Sequence, residues 1–174
     1  MSSGSADAPA SHRAYAPSSL ACSVLTVSDT RTRADDRSGD LIEQGLVAAG
    51  HRVVERTIVR DEPAAIRATV LRGIARREID VVLVTGGTGV SPRDGSVEAV
   101  EPLLHKRLEG FGELFRSLSL ADVGAAAQLS RAVAGTSGRT AVYLMPGSSG
   151  AVRLALERLI LPELAHVVGQ LRRV

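Results

Sequence analysis

A chain of 174 residues, 44% of them hydrophobic, is long enough for one domain with a sizeable core. Aromatic residues make up only 2%, so Val, Leu, Ile and Ala must fill that core, and a formal charge of +2 with no basic run interleaved with aromatics argues against nucleic acid as a partner. The single cysteine, Cys22, excludes an intrachain disulfide and a cysteine-based zinc site, and no apolar run is long enough to span a membrane.

Residues 1–19 are small and polar and lack an apolar signal-peptide core, so they read as a disordered tail on a cytoplasmic protein, with residues 20–174 forming the domain. Leu20–Val27 predicts a strand that ends in Ser28-Asp29, followed by a polar loop to Arg37. Ser38 is positioned to cap a helix running to about Ala49, with Leu41, Ile42, Leu46 and Val47 on its apolar face and Gly50 as its stop. His51–Val59 predicts a second strand, and Asp61-Glu62-Pro63 opens a helix carrying Ile66, Val70, Leu71 and Ile74. Val81–Val84 is a continuous apolar run that reads as a buried strand. This β-α-β-α-β order implies parallel strands with helical crossovers, hence an α/β fold: a single three-layer α-β-α domain around a mostly parallel sheet.

The buried strand ends in Thr85-Gly86-Gly87-Thr88-Gly89-Val90-Ser91-Pro92-Arg93-Asp94. In open α/β sheets, ligands bind at the carboxyl edge of the strands. Glycine amides there approach a ligand closely and form an anion nest, arginine suits phosphate and aspartate suits Mg²⁺. A glycine turn kept for geometry alone is the competing reading. The loop lacks the Gly-Lys-Ser/Thr of a P-loop, and Pro92 replaces the third glycine of a dinucleotide fingerprint. Ser96 then reads as a helix cap with Glu98 in the first turn, Ala125–Leu129 as a helix or a turn, and Ala141–Met145 as a late strand. A second glycine loop, Pro146-Gly147-Ser148-Ser149-Gly150, precedes the amphipathic stretch Ala151–Leu161, which Pro162 interrupts. That loop fails the hydrolase Gly-x-Ser-x-Gly spacing because Ala151 stands where the last glycine belongs.

Asp61 and Asp94 both follow predicted strands, so a parallel sheet brings them to one edge, where two carboxylates can hold one Mg²⁺ together with substrate phosphates. Helix capping is the competing role for Asp61. Ser130 by itself reads as a packed hydroxyl, Ser148 as a cap or an anion contact, and Arg116 as a solvated helix residue. His12, His51, His105 and His166 lack ligand spacing.

Residue for residue, the Thr85–Asp94 loop resembles the molybdenum cofactor biosynthesis family that includes MoaB, MogA and the gephyrin G domain. Ser28-Asp29-Thr30-Arg31-Thr32, Asp36-Arg37-Ser38-Gly39, Gly110-Phe111-Gly112-Glu113, Leu129-Ser130-Arg131 and Pro146-Gly147-Ser148 match in order, over about residues 20–161. The resemblance implies transfer of AMP from Mg-ATP to the terminal phosphate of molybdopterin, before metal insertion. It makes Asp61 and Asp94 the catalytic, Mg²⁺-holding pair. It assigns substrate contacts to Ser28, Asp29, Thr85, Gly86, Gly87, Thr88, Gly89, Ser130, Pro146, Gly147 and Ser148, with Ser130 on the pterin side. It also implies a homotrimer or hexamer and a downstream partner of the MoeA type that inserts the metal. One helix after Pro146-Gly147-Ser148 looks more like MoaB than MogA. The alternative within the same family is an oligomeric protein that binds pterin or nucleotide without turnover.

Overall fold

The computed structural model describes residues 16–173, so most of the expected tail lies outside the described residues. Six strands form one sheet in the order β2-β1-β3-β6-β5-β4, where β1 is Ala21–Val27, β2 Arg52–Val59, β3 Val81–Thr85, β4 Lys106–Arg107, β5 Val133–Ser137 and β6 Thr140–Met145. Strands β2, β1, β3 and β6 run parallel, while β5 is antiparallel to both β6 and β4. Every residue of β1, β3 and β6 is buried, as expected of central strands covered on both faces.

Alternation along the strands sends side chains to two cores. Cys22, Val24, Val81, Leu83, Tyr143 and Met145 face one side of the sheet. There they meet α1 (Arg37–Ala48), α4 (Glu109–Val123), α5 (Ser149–Ala155) and α6 (Leu164–Leu171). Leu25, Val27, Val82, Val84, Val142 and Leu144 face the other side, against α2 (Pro63–Ala75) and α3 (Ser96–Val100). The result is a three-layer domain. Aliphatic side chains dominate both cores, yet Phe111, Phe115 and Tyr143 are buried together, with Phe111 edge-on to Tyr143 at 5.4 Å between ring centroids.

Several local expectations are corrected. Helix α1 is capped by Asp36, whose Oδ1 accepts from Gly39 N at 3.0 Å, because the Ser38 hydroxyl is drawn instead to the carbonyl of Gly147 at 2.7 Å. Val47 and Leu71 are exposed, while Ile42 and Leu46 of α1 and Ile66 and Val70 of α2 are fully buried and Leu41 and Ile74 pack half-buried beside them. Helix α3 starts on Gly95, with Ser96 inside its first turn. Gly124–Leu129 is a 3₁₀ turn. The expected single C-terminal helix is two: α5 runs into a π turn at Leu156–Ile160, where Leu161 N bonds Leu156 O at 2.9 Å, and α6 follows Pro162, which has no amide to continue the ladder.

Candidate functional site

All four parallel strands end at one edge, and the loops after them interlock. The loop after β3 makes the sharpest turn. Gly86 has φ +102° and Gly87 φ +63°, and a Cβ on Gly86 would stand 2.3 Å from the Val27 carbonyl oxygen, so only glycine fits between this loop and the end of β1. Gly86 N donates to Met145 O at 3.1 Å and the Thr85 hydroxyl donates to Pro146 O at 3.0 Å, which ties the loop to the one after β6. Gly147 packs against Gly86, and Ser38 holds Gly147 from the other side.

The amides of Gly87, Thr88 and Gly89 find no acceptor among the described residues, while those of Ser91, Asp94 and Gly95 are all paired. Three successive free amides make an anion nest. Arg131 holds its back: Nε donates to Gly89 O at 3.0 Å and Nη2 to Gly89 O at 2.6 Å and Asp94 O at 3.3 Å, while Nη1 pairs with Glu98. The carbonyls of Thr88 and Gly89 are thus engaged by Arg131 and that of Gly87 by Ser96 N, while the three amides stay unpaired. Sequence reasoning missed this role for Arg131, 42 positions from Gly89.

Two carboxylates flank the nest. Asp61 is 9% exposed, and its Oδ1 accepts from Gly95 N at 3.1 Å. It therefore steadies the β3 loop and does not cap α2, whose N-terminal Glu62 makes no side-chain cap bond. Burial pushes the Asp61 carboxyl above the ordinary aspartate value; the Gly95 hydrogen bond opposes this, and the charges of Asp94 and Asp29 add to it. Asp94 Oδ2 accepts from Ser91 N at 3.0 Å. Ser96, which sequence reasoning treated only as a cap, is fully buried with a hydroxyl that has no partner. A Cβ on Gly87 would lie 2.3 Å from Ser96 Oγ and 2.6 Å from Asp61 Oδ2, and one on Gly89 would lie 2.8 Å from Asp94 Oδ2. Both acids thus touch the glycine loop.

The structure brings the remaining expected residues to this edge with differing freedom. Ser28 Oγ accepts from the amides of Thr30 and Arg31 at 3.3 and 3.2 Å, a local turn. Asp29 is bound by Arg93 at 2.9 and 3.0 Å and by Asp61 N at 3.2 Å. Ser148 caps α5 through Ala151 N at 3.3 Å. Ser130 Oγ is buried and unpartnered. The residue lines, with Pro146 and Ser148, a cavity of about 240 Å³ whose other walls include Phe115, Ala127 and Leu154. A more open depression of about 450 Å³ lies against Asp94, Gly95 and Arg131. Arg116, expected in solvent, is half-buried and donates to Ser130 O at 3.5 Å.

The helix entry at Asp36 is structural. Asp36 is fully buried and accepts from Thr26 Oγ1 and Arg56 Nη2, each at 2.8 Å, and Arg56 reaches Asp40 and Glu43 as well. Burial opposes its charge, but the hydrogen bonds from Gly39, Arg56 and Thr26 hold its carboxyl below the usual range. Within the Asp36-Arg37-Ser38-Gly39 motif, Asp36 anchors this network and Ser38 the loop at Gly147.

Among the described residues, no group of three or more His, Cys, Asp or Glu side chains is placed to hold a metal. Asp61 and Asp94 offer carboxylate oxygens beside the orphaned Ser96 hydroxyl, a donor set that suits Mg²⁺ only when phosphate oxygens complete the shell.

Comparison with known proteins gives both a family and a fold. Residues 23–166 match the family described as "probable molybdopterin binding domain". The chain is 52% identical over 163 residues to molybdenum cofactor biosynthesis protein B of Bacillus anthracis, covering 93% of this chain and 96% of that one. A crystal structure of a molybdenum cofactor biosynthesis protein B superposes with a TM-score of 0.88 at 51% identity, covering 91% of this chain and 99% of the other. The tungsten cofactor synthesizing protein MoaB of Pyrococcus furiosus superposes with a TM-score of 0.82 at 36% identity, covering 91% and 100%.

Proposed function

The chain belongs to the molybdopterin-binding domain family of molybdenum cofactor biosynthesis proteins, and from that premise we propose that it adenylylates molybdopterin with Mg-ATP. The observation that carries this reading is the row of free amides at Gly87, Thr88 and Gly89 between the carboxylates of Asp61 and Asp94. Triphosphate oxygens fit the amides, and Asp61 and Asp94 would hold Mg²⁺, which neutralises the developing charge on the phosphates. The cavity at Ser130 suits the pterin, with the free Ser130 hydroxyl directed to its phosphate. Two cavities, one lined by Ser130 and one by Arg131, fit two substrates better than one.

In this reading the terminal phosphate oxygen of the pterin forms a bond to the α-phosphorus of ATP, the α–β bridging bond breaks, and pyrophosphate leaves with that electron pair. The protein contributes position and charge; no side-chain nucleophile takes part. Asp29, Thr85, Gly86, Pro146, Gly147 and Ser28 act by shaping the edge, and Ser148 by lining the pterin cavity. We propose further that the reaction is cytoplasmic and is followed by a metal-inserting protein of the MoeA type. Among the described residues no helix is long and apolar enough to cross a membrane. Leu114, Leu120, Val123 and Leu129 lie exposed on α4 and the turn after it, and we assign them to contacts in a trimer or hexamer.

The test is chromatographic. Purified protein incubated with molybdopterin, ATP and Mg²⁺ should yield adenylylated molybdopterin and one equivalent of pyrophosphate. Tight pterin binding with no product would replace this reading by the binding-only one, and a monomer on a light-scattering column would remove the oligomer assignment.

A further inference from the structure

The acids at the carboxyl edge do not share their cations equally. Asp61 and Asp94 have no ion-pair partner among the described residues. Asp29 has the full fork of Arg93, with Nε at 2.9 Å from one oxygen and Nη2 at 3.0 Å from the other. Asp61 N also donates to Asp29 at 3.2 Å, so Asp29 is the one acid of this edge that is already partnered, and it is held by Arg93. The buried, partnerless Ser96 hydroxyl beside Asp61 is an independent sign that this edge awaits a ligand.

Arg93 is a different kind of arginine from Arg56. The Arg56 side chain is 3% exposed and fixed among three acids, whereas that of Arg93 is 59% exposed and rests on a single carboxylate that is itself 36% exposed. An exposed pair of that kind is weak and exchangeable. A guanidinium fork fits phosphate as well as carboxylate. Arg93 also adjoins Asp94 in the chain, in the same loop as the unpaired amides.

We propose that Arg93 is a built-in counter-ion of the acidic edge, which a divalent cation displaces from Asp29 so that its guanidinium passes to the phosphate of the incoming ligand. The inference rests on the function proposed above for the class of that ligand. It explains how two negative loops stay packed together without a metal. Its consequence is that a divalent cation alone meets the opposing charge of Arg93 and binds poorly, while a cation arriving with a triphosphate gives Arg93 a new partner.

The test titrates Mn²⁺ into wild type, Arg93→Gln and Arg93→Lys without nucleotide at low salt, reading free Mn²⁺ by electron paramagnetic resonance, then titrates Mg-ATP by calorimetry. Arg93→Gln should bind Mn²⁺ about tenfold more tightly than wild type, because a nearby positive charge is gone. Arg93→Lys keeps the charge and should match wild type. Mg-ATP should bind Arg93→Gln at least about tenfold more weakly. Unchanged or weaker Mn²⁺ binding by Arg93→Gln, no Mn²⁺ binding by any of the three proteins, or wild-type affinity of Arg93→Gln for Mg-ATP would each overturn the proposal. Failure of wild type to bind Mg-ATP would defeat the proposed function, and the Mn²⁺ comparison would still decide the role of Arg93.

Discussion

Replacing Gly86 or Gly87 by alanine adds one methyl group to adjacent positions of the same loop, yet the structure predicts unequal outcomes. At Gly87 the φ of +63° is left-handed, which costs an alanine about 1–2 kcal/mol. The obstacles to its Cβ are side-chain oxygens, Ser96 Oγ at 2.3 Å and Asp61 Oδ2 at 2.6 Å, and the Asp61 carboxyl can rotate away. Gly87→Ala should therefore lose about 1–2 kcal/mol, roughly 2–8 °C in Tm for a domain of this size, but with Asp61 displaced it should bind Mg-ATP poorly. At Gly86 the φ of +102° is further from any well an alanine occupies, and the obstacle is backbone, Val27 O at 2.3 Å. Relief requires parting the loop from the end of β1, so Gly86→Ala should lose at least about 3 kcal/mol, by strain and lost contacts together. Urea unfolding gives the two stabilities and calorimetry the two affinities. Equal stabilities, or Gly87→Ala binding Mg-ATP as wild type does, would refute the reasoning.

Asp36→Ala should destabilise by about 2–3 kcal/mol in urea unfolding, because it removes the cap on Gly39 N and the buried partner of Thr26 and of Arg56 Nη2, while Asp40 and Glu43 still pair with Arg56. The Asp36 carboxyl titrates lower in the folded than in the unfolded chain, so its stabilisation is complete above the ordinary aspartate range and fades as pH falls through the lower, folded value. Wild-type stability should therefore fall on acidification below about pH 4, and that of Asp36→Ala should fall less. Ser130→Ala should leave Tm unchanged, since the hydroxyl has no partner to lose, while weakening molybdopterin binding by about 1.5–3 kcal/mol and leaving Mg-ATP binding intact by calorimetry. Cys22 is fully buried and its thiol is pushed up to about 12, chiefly by burial, so it should resist a thiol reagent at pH 8 until the domain unfolds.

The central strands and the glycine loop were legible because a continuous Val-rich run has one stable home, a sheet covered on both faces. The antiparallel pair β4 and β5 was not, since two residues at Lys106-Arg107 and a run holding Gly135 carry no periodicity. Local capping rules chose Ser38 over Asp36 because both are good caps; a contact 109 positions away settles it by drawing the Ser38 hydroxyl to Gly147. The acids of the site were visible from their place after strands. What the sequence concealed is which polar groups stay unpaired: the free amides of Gly87–Gly89, the orphaned Ser96 and Ser130 hydroxyls, and Asp29 already bound by Arg93 all depend on long-range packing.

The most direct test of the account is adenylyl transfer by Asp94→Asn, Asp61→Asn and the double variant at varied Mg²⁺. Asparagine keeps the acceptor oxygens that Ser91 N and Gly95 N require, so the fold should persist and the variants should match wild type in Tm to within a few degrees. Each removes a carboxylate from the cation, and the lost transition-state stabilisation should lower kcat by about 10²-fold or more. The double variant should be little worse than either single one, because the two acids act as one unit. Wild-type turnover by Asp94→Asn in a folded protein would contradict the assignment of this edge as the catalytic site.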